Sequence, residues 1–225
     1  MTGRPGAVYF DLYGTLLDLG PLDDACEALV PGRGAAFART WRMEQLRLTW
    51  LRTIMGAWVD FAAVTEAALA ATAATFAVDP TVATATLGEA FRRLPARPEA
   101  PGVLSELREA GCRLGVLSNG SRAMLTGSLD ETGLAALVDD VLSVDVVRRY
   151  KPDPAVYDLA VRASGLPPDD IGFVTANDWD AAGAAAFGLQ VVWLRPPGAV
   201  ALPAVGAPVT RVASWDDLVA AFGIA

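Results

Sequence analysis

Residues Ala7–Leu16 read AVYFDLYGTL: four apolar positions, an aspartate, and shortly after it Gly14-Thr15. A run that is hydrophobic at every position, not at alternate ones, marks a strand buried on both faces, here roughly Ala7–Leu12. An acid at the end of such a strand is costly to bury unless donors meet it. Gly14 permits a sharp turn that brings backbone N–H groups toward the Asp11 carboxylate, and Thr15 adds a hydroxyl donor. A carboxylate held among donors is suited to act as a nucleophile. The same Asp-x-x-Gly-Thr pattern also reads as a turn or helix-capping aspartate. The rest of the chain has to decide between the two.

Beyond Leu16 the sequence turns helical, with candidate helices over 22–30, 34–55, 60–77 and 80–94 and breakers at Pro31-Gly32, Gly56 and Pro80. From Pro95 onward helices alternate with short β-branched apolar runs. Helix 101–110 precedes RLGVLS (113–118), helix 121–133 precedes DDVLSV (139–144), helix 154–164 precedes IGFVT (171–175), and helix 179–187 precedes LQVVWL (189–194). The Pro/Gly-rich PPGAVALPAVGAP (196–208) reads as an excursion, and SWDDLVAAF (214–222) as a capped terminal helix. Such alternation predicts an α/β fold, a doubly wound parallel-sheet (Rossmann-like) core with helices on both faces. The core is expected from residues 1–17 and 97–225, and a helical cap domain from residues 18–96, inserted after the first strand.

The bulk composition narrows the function. With 53% hydrophobic and 20% charged residues over 225 positions, the chain is an ordinary globular protein. A formal net charge of −8 argues against nucleic acid or an anionic membrane as partner, and an anionic substrate would need local cations. Histidine is absent, which removes histidine triads, histidine metal ligands and histidine pH switches. Cys26 and Cys112 form no disulfide framework and lack metal-ligand spacing, so a reducing cytoplasm is expected. No run reaches transmembrane length, and the few residues before the first strand are too short for a signal peptide.

In doubly wound sheets the ligand crevice lies beyond the carboxyl ends of the strands. Four regions meet that condition. Asp11 with Thr15 ends the first strand, and Ser118-Asn119 within LSNGS (117–121) ends the second. Lys151 lies in YKPDPAVY (150–157), where Pro152 stiffens the loop. FVTANDWDAAGA (173–184) places Asn177 and Asp180 after another buried strand. Taken singly each has an ordinary reading, as a turn, a solvated lysine or a helix-cap acid. Together, in this order and spacing, they resemble the haloacid dehalogenase superfamily, across nearly the whole chain and including a helical cap after the first motif. The resemblance implies Asp11 as nucleophile, with Ser118 and Lys151 positioning the substrate.

Most of that superfamily are phosphatases with a second aspartate two residues after the nucleophile; here Tyr13 stands in that place. A poor alkoxide leaving group needs a proton donor, whereas halide leaves as a stable anion. The phosphatases also carry an acid that helps to hold magnesium where this chain has Ala176. The segment TWRMEQLRLTWLRT (40–53) closely resembles the cap helix of the L-2-haloacid dehalogenases. That similarity implies Arg42 as the residue meeting the departing halide, with Met43, Leu46, Phe61 and Trp179 as apolar pocket. It further implies Leu12 and Tyr13 backbone N–H groups at the oxyanion, and Ser118, Asn119 and Lys151 at the substrate carboxylate. Asp180 is implied as base or base-orienting group, hydrogen-bonded with Lys151 and Asn177, with Tyr157 and Thr175 behind them. Thr175 departs from the family's usual serine but keeps a hydroxyl. The expected reaction turns L-2-haloalkanoic acids into D-2-hydroxyacids with inversion, without metal or other cofactor. The partners expected are a small halogenated carboxylate, a halide product and a second copy of the chain in a homodimer. A promiscuous small-molecule phosphatase and a non-catalytic carboxylate-binding relative are the rival readings.

Overall fold

The computed structural model describes residues 3–195 and 209–224. The excursion expected at 196–208 lies outside the described residues. Six strands form one parallel sheet: β1 (Ala7–Phe10), β2 (Arg113–Ser118), β3 (Asp140–Ser143), β4 (Ile171–Thr175), β5 (Gln190–Leu194) and β6 (Thr210–Val212). Their order is β3-β2-β1-β4-β5-β6. This is the doubly wound α/β architecture expected from the alternation of helices and apolar runs. All four residues of β1 are fully buried, in keeping with a central strand covered on both faces.

The chain order matters for function. From β1 the sheet grows outward through β2 and β3, and then returns to the other side of β1 with β4. The reversal makes a topological switch point between β1 and β4, where loops leave in opposite directions and open a crevice. Phe10 pairs with Val116 on one side and Val174 on the other, so the residues following β1, β2 and β4 emerge level with one another.

Four helices intervene between β1 and the rest of the sheet: α1 (Gly20–Leu29), α2 (Gly34–Met55), α3 (Phe61–Thr75) and α4 (Pro80–Arg92). They pack on one another, α2 on α1 and α3, and α4 on α3 and α1. Asp60 caps α3 by accepting from the Ala63 N–H at 2.8 Å. The entry and exit of this insertion are tied together. The Asp18 N–H donates to the Pro95 carbonyl and the Arg97 N–H to the Leu16 carbonyl, both at 2.8 Å.

The remaining helices are α5 (Ala100–Glu109), α6 (Arg122–Thr132), α7 (Pro154–Ser164), α8 (Asp178–Phe187) and α9 (Leu218–Ala221). α7 packs on β2, β3 and α8, while α5 packs on β2 and α9. Two details differ from the sequence reading. The helix expected over 214–222 is reduced to the single turn of α9, and the edge strand β6 precedes it. Three residues, two of them exposed, are too few to show periodicity, and β6 forms only because β5 offers it a ladder.

Candidate active site

Asp11 follows β1 directly, and its N–H donates to the Val174 carbonyl at 2.9 Å. This bond continues the ladder and fixes the carboxylate at the switch point. Gly14 turns with φ +84°, a conformation glycine adopts without penalty. The turn does not aim its N–H at the carboxylate as the sequence suggested. Gly14 N–H donates to the Leu17 carbonyl and Thr15 N–H to the Leu12 carbonyl, so the tight turn satisfies them internally. The N–H groups of Leu12 and Tyr13 have no acceptor among the described residues. The Leu12 side chain is buried in the core, so only its backbone is free for the site.

The carboxylate of Asp11 is met by three donors from three elements. Lys151 Nζ lies 3.1 Å from Oδ1. Asn177 Nδ2 lies 2.9 Å and Thr15 Oγ1 3.3 Å from Oδ2. Thr15 Oγ1 in turn accepts from the Ala176 N–H at 2.9 Å, which directs its proton to Asp11. Asn177 immediately precedes α8, and its own N–H donates to Thr175 Oγ1 at 3.1 Å. Thr175 therefore orders the β4–α8 turn. Asn177 joins the network through Asp11.

Lys151 is fully buried and also donates to Asp180 Oδ2 at 2.8 Å, while Tyr157 on α7 donates to Asp180 Oδ1 at 2.8 Å. Its Nζ lies 4.7 Å from the centre of the Phe173 ring. One ammonium thus serves two carboxylates. Burial opposes the ammonium's charge, but Asp11 and Asp180 outweigh it and hold the Lys151 pKa above its ordinary value. Burial pushes Asp180 up to about 6; Lys151 pulls it down, and the second carboxylate, Asp11, adds to the rise. The two directions are consistent, because two anions sharing one cation leave a negative charge in excess. Burial, then Asp180, raise the Tyr157 hydroxyl well above an ordinary phenol, so it stays a donor.

Above Asp11 lies a cavity of about 70 Å³. Since about 10–15 Å³ on this measure houses one water, the space suits a small molecule. Ser118, Asn119 and Asn177 form its polar floor beside Asp11. Asn119 Oδ1 accepts from the Lys151 N–H at 2.9 Å, which leaves its Nδ2 as the free end. The helical insertion supplies the roof: Leu19, Leu22, Arg42, Gln45, Leu46, Phe61 and Phe91, joined by Tyr13 and Trp179 from the core. Arg42 is half-buried and has no hydrogen-bond or ion-pair partner among the described residues. Burial lowers its pKa, opposed by Asp23, but a guanidinium stays charged. It is a cation aimed at a cavity that otherwise holds one exposed anion edge.

Tyr13 stacks on Phe91, with ring centroids 5.0 Å apart and planes 18° apart. Burial pushes its phenol up to about 12, with Ser128 lowering it and Asp11 raising it. Such a phenol is a poor proton donor to a leaving group.

Two expectations need correction. Met43 is 57% exposed and lies outside the cavity, because one residue beyond Arg42 on a helix turns the side chain about 100° away. Lys151 does not reach the cavity either, since the two carboxylates hold its buried ammonium beneath Asp11. Gln45, Leu19, Leu22 and Phe91 line the cavity without having been singled out in the sequence. Gln45 stands three residues after Arg42 and thus on the same helix face, a signal that was available. Its Nε2 donates to Thr65 Oγ1 at 2.7 Å, while Thr65 donates its own proton to the Phe61 carbonyl at 2.6 Å.

A family model for haloacid dehalogenase-like hydrolases matches residues 5–188. An (S)-2-haloacid dehalogenase from Pseudomonas sp. (strain YL) is 42% identical over 194 residues, covering 86% of this chain and 84% of that protein. The crystal structure of the L-2-haloacid dehalogenase RSc1362 superposes with a TM-score of 0.93 at 38% identity, covering 99% of this chain and 100% of that one. The L-2-haloacid dehalogenase from Xanthobacter autotrophicus, with chloropropionic acid covalently bound, superposes with a TM-score of 0.87 at 33% identity, covering 95% and 96%.

Proposed function

The chain belongs to the haloacid dehalogenase-like hydrolases, and on that premise we propose that it hydrolyses the carbon–halogen bond of L-2-haloalkanoic acids, giving D-2-hydroxyacids through an ester on Asp11. One observation carries the reading. A carboxylate held by Lys151, Asn177 and Thr15 faces a small, mostly apolar cavity whose opposite wall presents Arg42, a cation without an ion-pair partner among the described residues. A nucleophile and an anion acceptor across a small space suit displacement of one anion by another.

In the first step an Asp11 oxygen attacks the carbon bearing the halogen from the face opposite the leaving group. A C–O bond forms as the C–X bond breaks, and halide departs with the bonding pair toward Arg42 and the Asn119 amide. Ser118 and the Asn119 backbone N–H hold the substrate carboxylate. In the second step water attacks the ester carbonyl carbon of Asp11 and gives its proton to Asp180. The resulting oxyanion is met by the Leu12 and Tyr13 N–H groups and the Thr15 hydroxyl. Collapse breaks the bond between the Asp11 carbonyl carbon and the product oxygen. The departing alkoxide takes that proton back from Asp180, while Asp11 keeps the oxygen from water and releases the second water proton to solvent, which restores its carboxylate. The substrate carbon is attacked once, so configuration inverts once.

Neither step needs what Tyr13 and Ala176 fail to supply. Halide requires no general acid, and a carboxylate monoanion is met by hydroxyl, amide and guanidinium donors. The reaction is therefore proposed to be metal-independent. Residues 18–96 act as the cap domain over the core of 1–17 and 97–225. Met43, Ile54 and Met55, exposed on α2, support a homodimer through this helix, testable by light scattering. Buried, unpaired Cys26 and Cys112 accord with a reducing cytoplasm. No helix among the described residues is long and apolar enough to cross a membrane.

The test is halide release from each enantiomer of 2-chloropropionate, wild type beside Asp11→Asn. Release from the L enantiomer alone, lost in the variant, is expected. In single turnover in heavy-oxygen water the label should enter Asp11 before it enters product. Label in the first product molecule would sink the ester route.

A further inference from the structure

Behind the Tyr13–Phe91 wall lies a second, larger hollow of about 260 Å³, open to solvent at the seam between the helical insertion and the core. Tyr13 and Phe91 line both spaces, so a single pair of rings separates them. Its remaining walls are Ala123, Met124, Gly127 and Ser128 of α6, small or flexible side chains, and Arg92 at the end of α4, whose guanidinium pairs with Glu89. None of these residues has a role in the mechanism above.

The two rings come from different parts of the fold. Tyr13 belongs to the loop after β1 and is seated against Gly120, where an added Cβ would lie only 3.0 Å from its Cε2. Phe91 belongs to the last turn of α4 and is held between Tyr13 and Trp41, whose ring centroid is 5.8 Å away. The Tyr13 ring therefore has a fixed seat in the core, whereas Phe91 comes in from the insertion.

We propose that Phe91 is the residue that limits substrate chain length, and that the hollow beyond it is a subsite for the alkyl tail of longer 2-haloalkanoates. The inference rests on the dehalogenase reading and deepens it. The site cavity is small and houses the carboxylate, the reacting carbon and a short side chain. A longer tail meets the Tyr13–Phe91 stack, and on the other side of that stack is open apolar space several-fold larger than the site. Burying the tail there stabilises binding by about 0.8 kcal/mol per methylene, which is roughly fourfold in affinity each. Removing the Phe91 ring joins the two spaces without touching Asp11, Arg42 or the donors around them.

The experiment compares halide release from racemic 2-bromopropionate and 2-bromohexanoate. Wild type is expected to favour the shorter acid strongly. Phe91→Ala is expected to raise the ratio of kcat/KM for the longer acid over the shorter at least tenfold, and Phe91→Leu by a smaller factor. Loss of stability changes both substrates alike and leaves this ratio unmoved, and the leucine variant serves should the alanine variant fold poorly. Adding Met124→Trp to either variant fills the hollow and should return the ratio toward wild type. An unchanged ratio, or a gain that survives the filled hollow, would overturn the subsite. Absence of halide release from 2-bromopropionate in wild type would instead overturn the dehalogenase reading.

Discussion

Tyr157→Phe removes one oxygen from a buried site and yields a sharp test of how Asp180 works. The phenol donates to Asp180 Oδ1 at 2.8 Å, and the other oxygen, Oδ2, is held by Lys151. A hydrogen bond to a charged group contributes about 1.5–3 kcal/mol, and one pKa unit corresponds to about 1.36 kcal/mol. Losing the donor disfavours the charged form, so the Asp180 pKa rises from about 6 by roughly one to two units. On the proposed route Asp180 must be ionised to take a proton from water. Activity therefore rises with pH through its pKa, and the acid limb of kcat, which reports the enzyme–substrate state, moves to higher pH. The assay is steady-state halide release across pH 5–9, paired with the pre-steady-state halide burst at pH 7. On that route the burst reports attack by Asp11 and should persist, while turnover in the variant recovers at high pH. A limb at the same pH in both proteins would refute the reasoning. So would a turnover defect that stays constant from pH 7 to 9.

Other outcomes follow from the same geometry. Lys151→Met keeps the stem against Phe173 but leaves Asp11 and Asp180 as unpaired buried carboxylates, and should cost about 3–5 kcal/mol in urea unfolding at neutral pH; an unchanged midpoint would show that the pair is not held as described. A chelator should leave halide release untouched. Activity lost to chelator and restored by magnesium, with turnover of p-nitrophenyl phosphate, would favour phosphatase chemistry.

The sequence carried much of this protein on its face. β1, β2, β4 and β5 were legible because strands covered on both sides must be apolar at every position. The long insertion was legible from its helical runs and breakers. Asp11, Lys151, Asn177 and Asp180 could be nominated because the topology of a doubly wound sheet sends the residues after its strands to one rim. Tyr13 and Ala176 indicated the leaving group by the chemistry they lack. What remained open was set by contacts between residues far apart in the chain. Gly14 could be read as a turn, yet only the Leu12 and Leu17 carbonyls decided where its loop's N–H groups point. The bond between Lys151 and Asp180 was expected, but a place for Lys151 at the substrate as well was not compatible with the fold, because a fully buried ammonium shared by two carboxylates has no face left for the cavity. Met43 and Gln45 lie two residues apart on one helix, and it is the packing of α2 over the switch point that turned one to solvent and the other to the cavity. Residue order decides which groups a chain can offer; which of them share a space depends on how the insertion lies over the sheet. That placement is set by packing across the seam, a property that no local stretch of sequence contains.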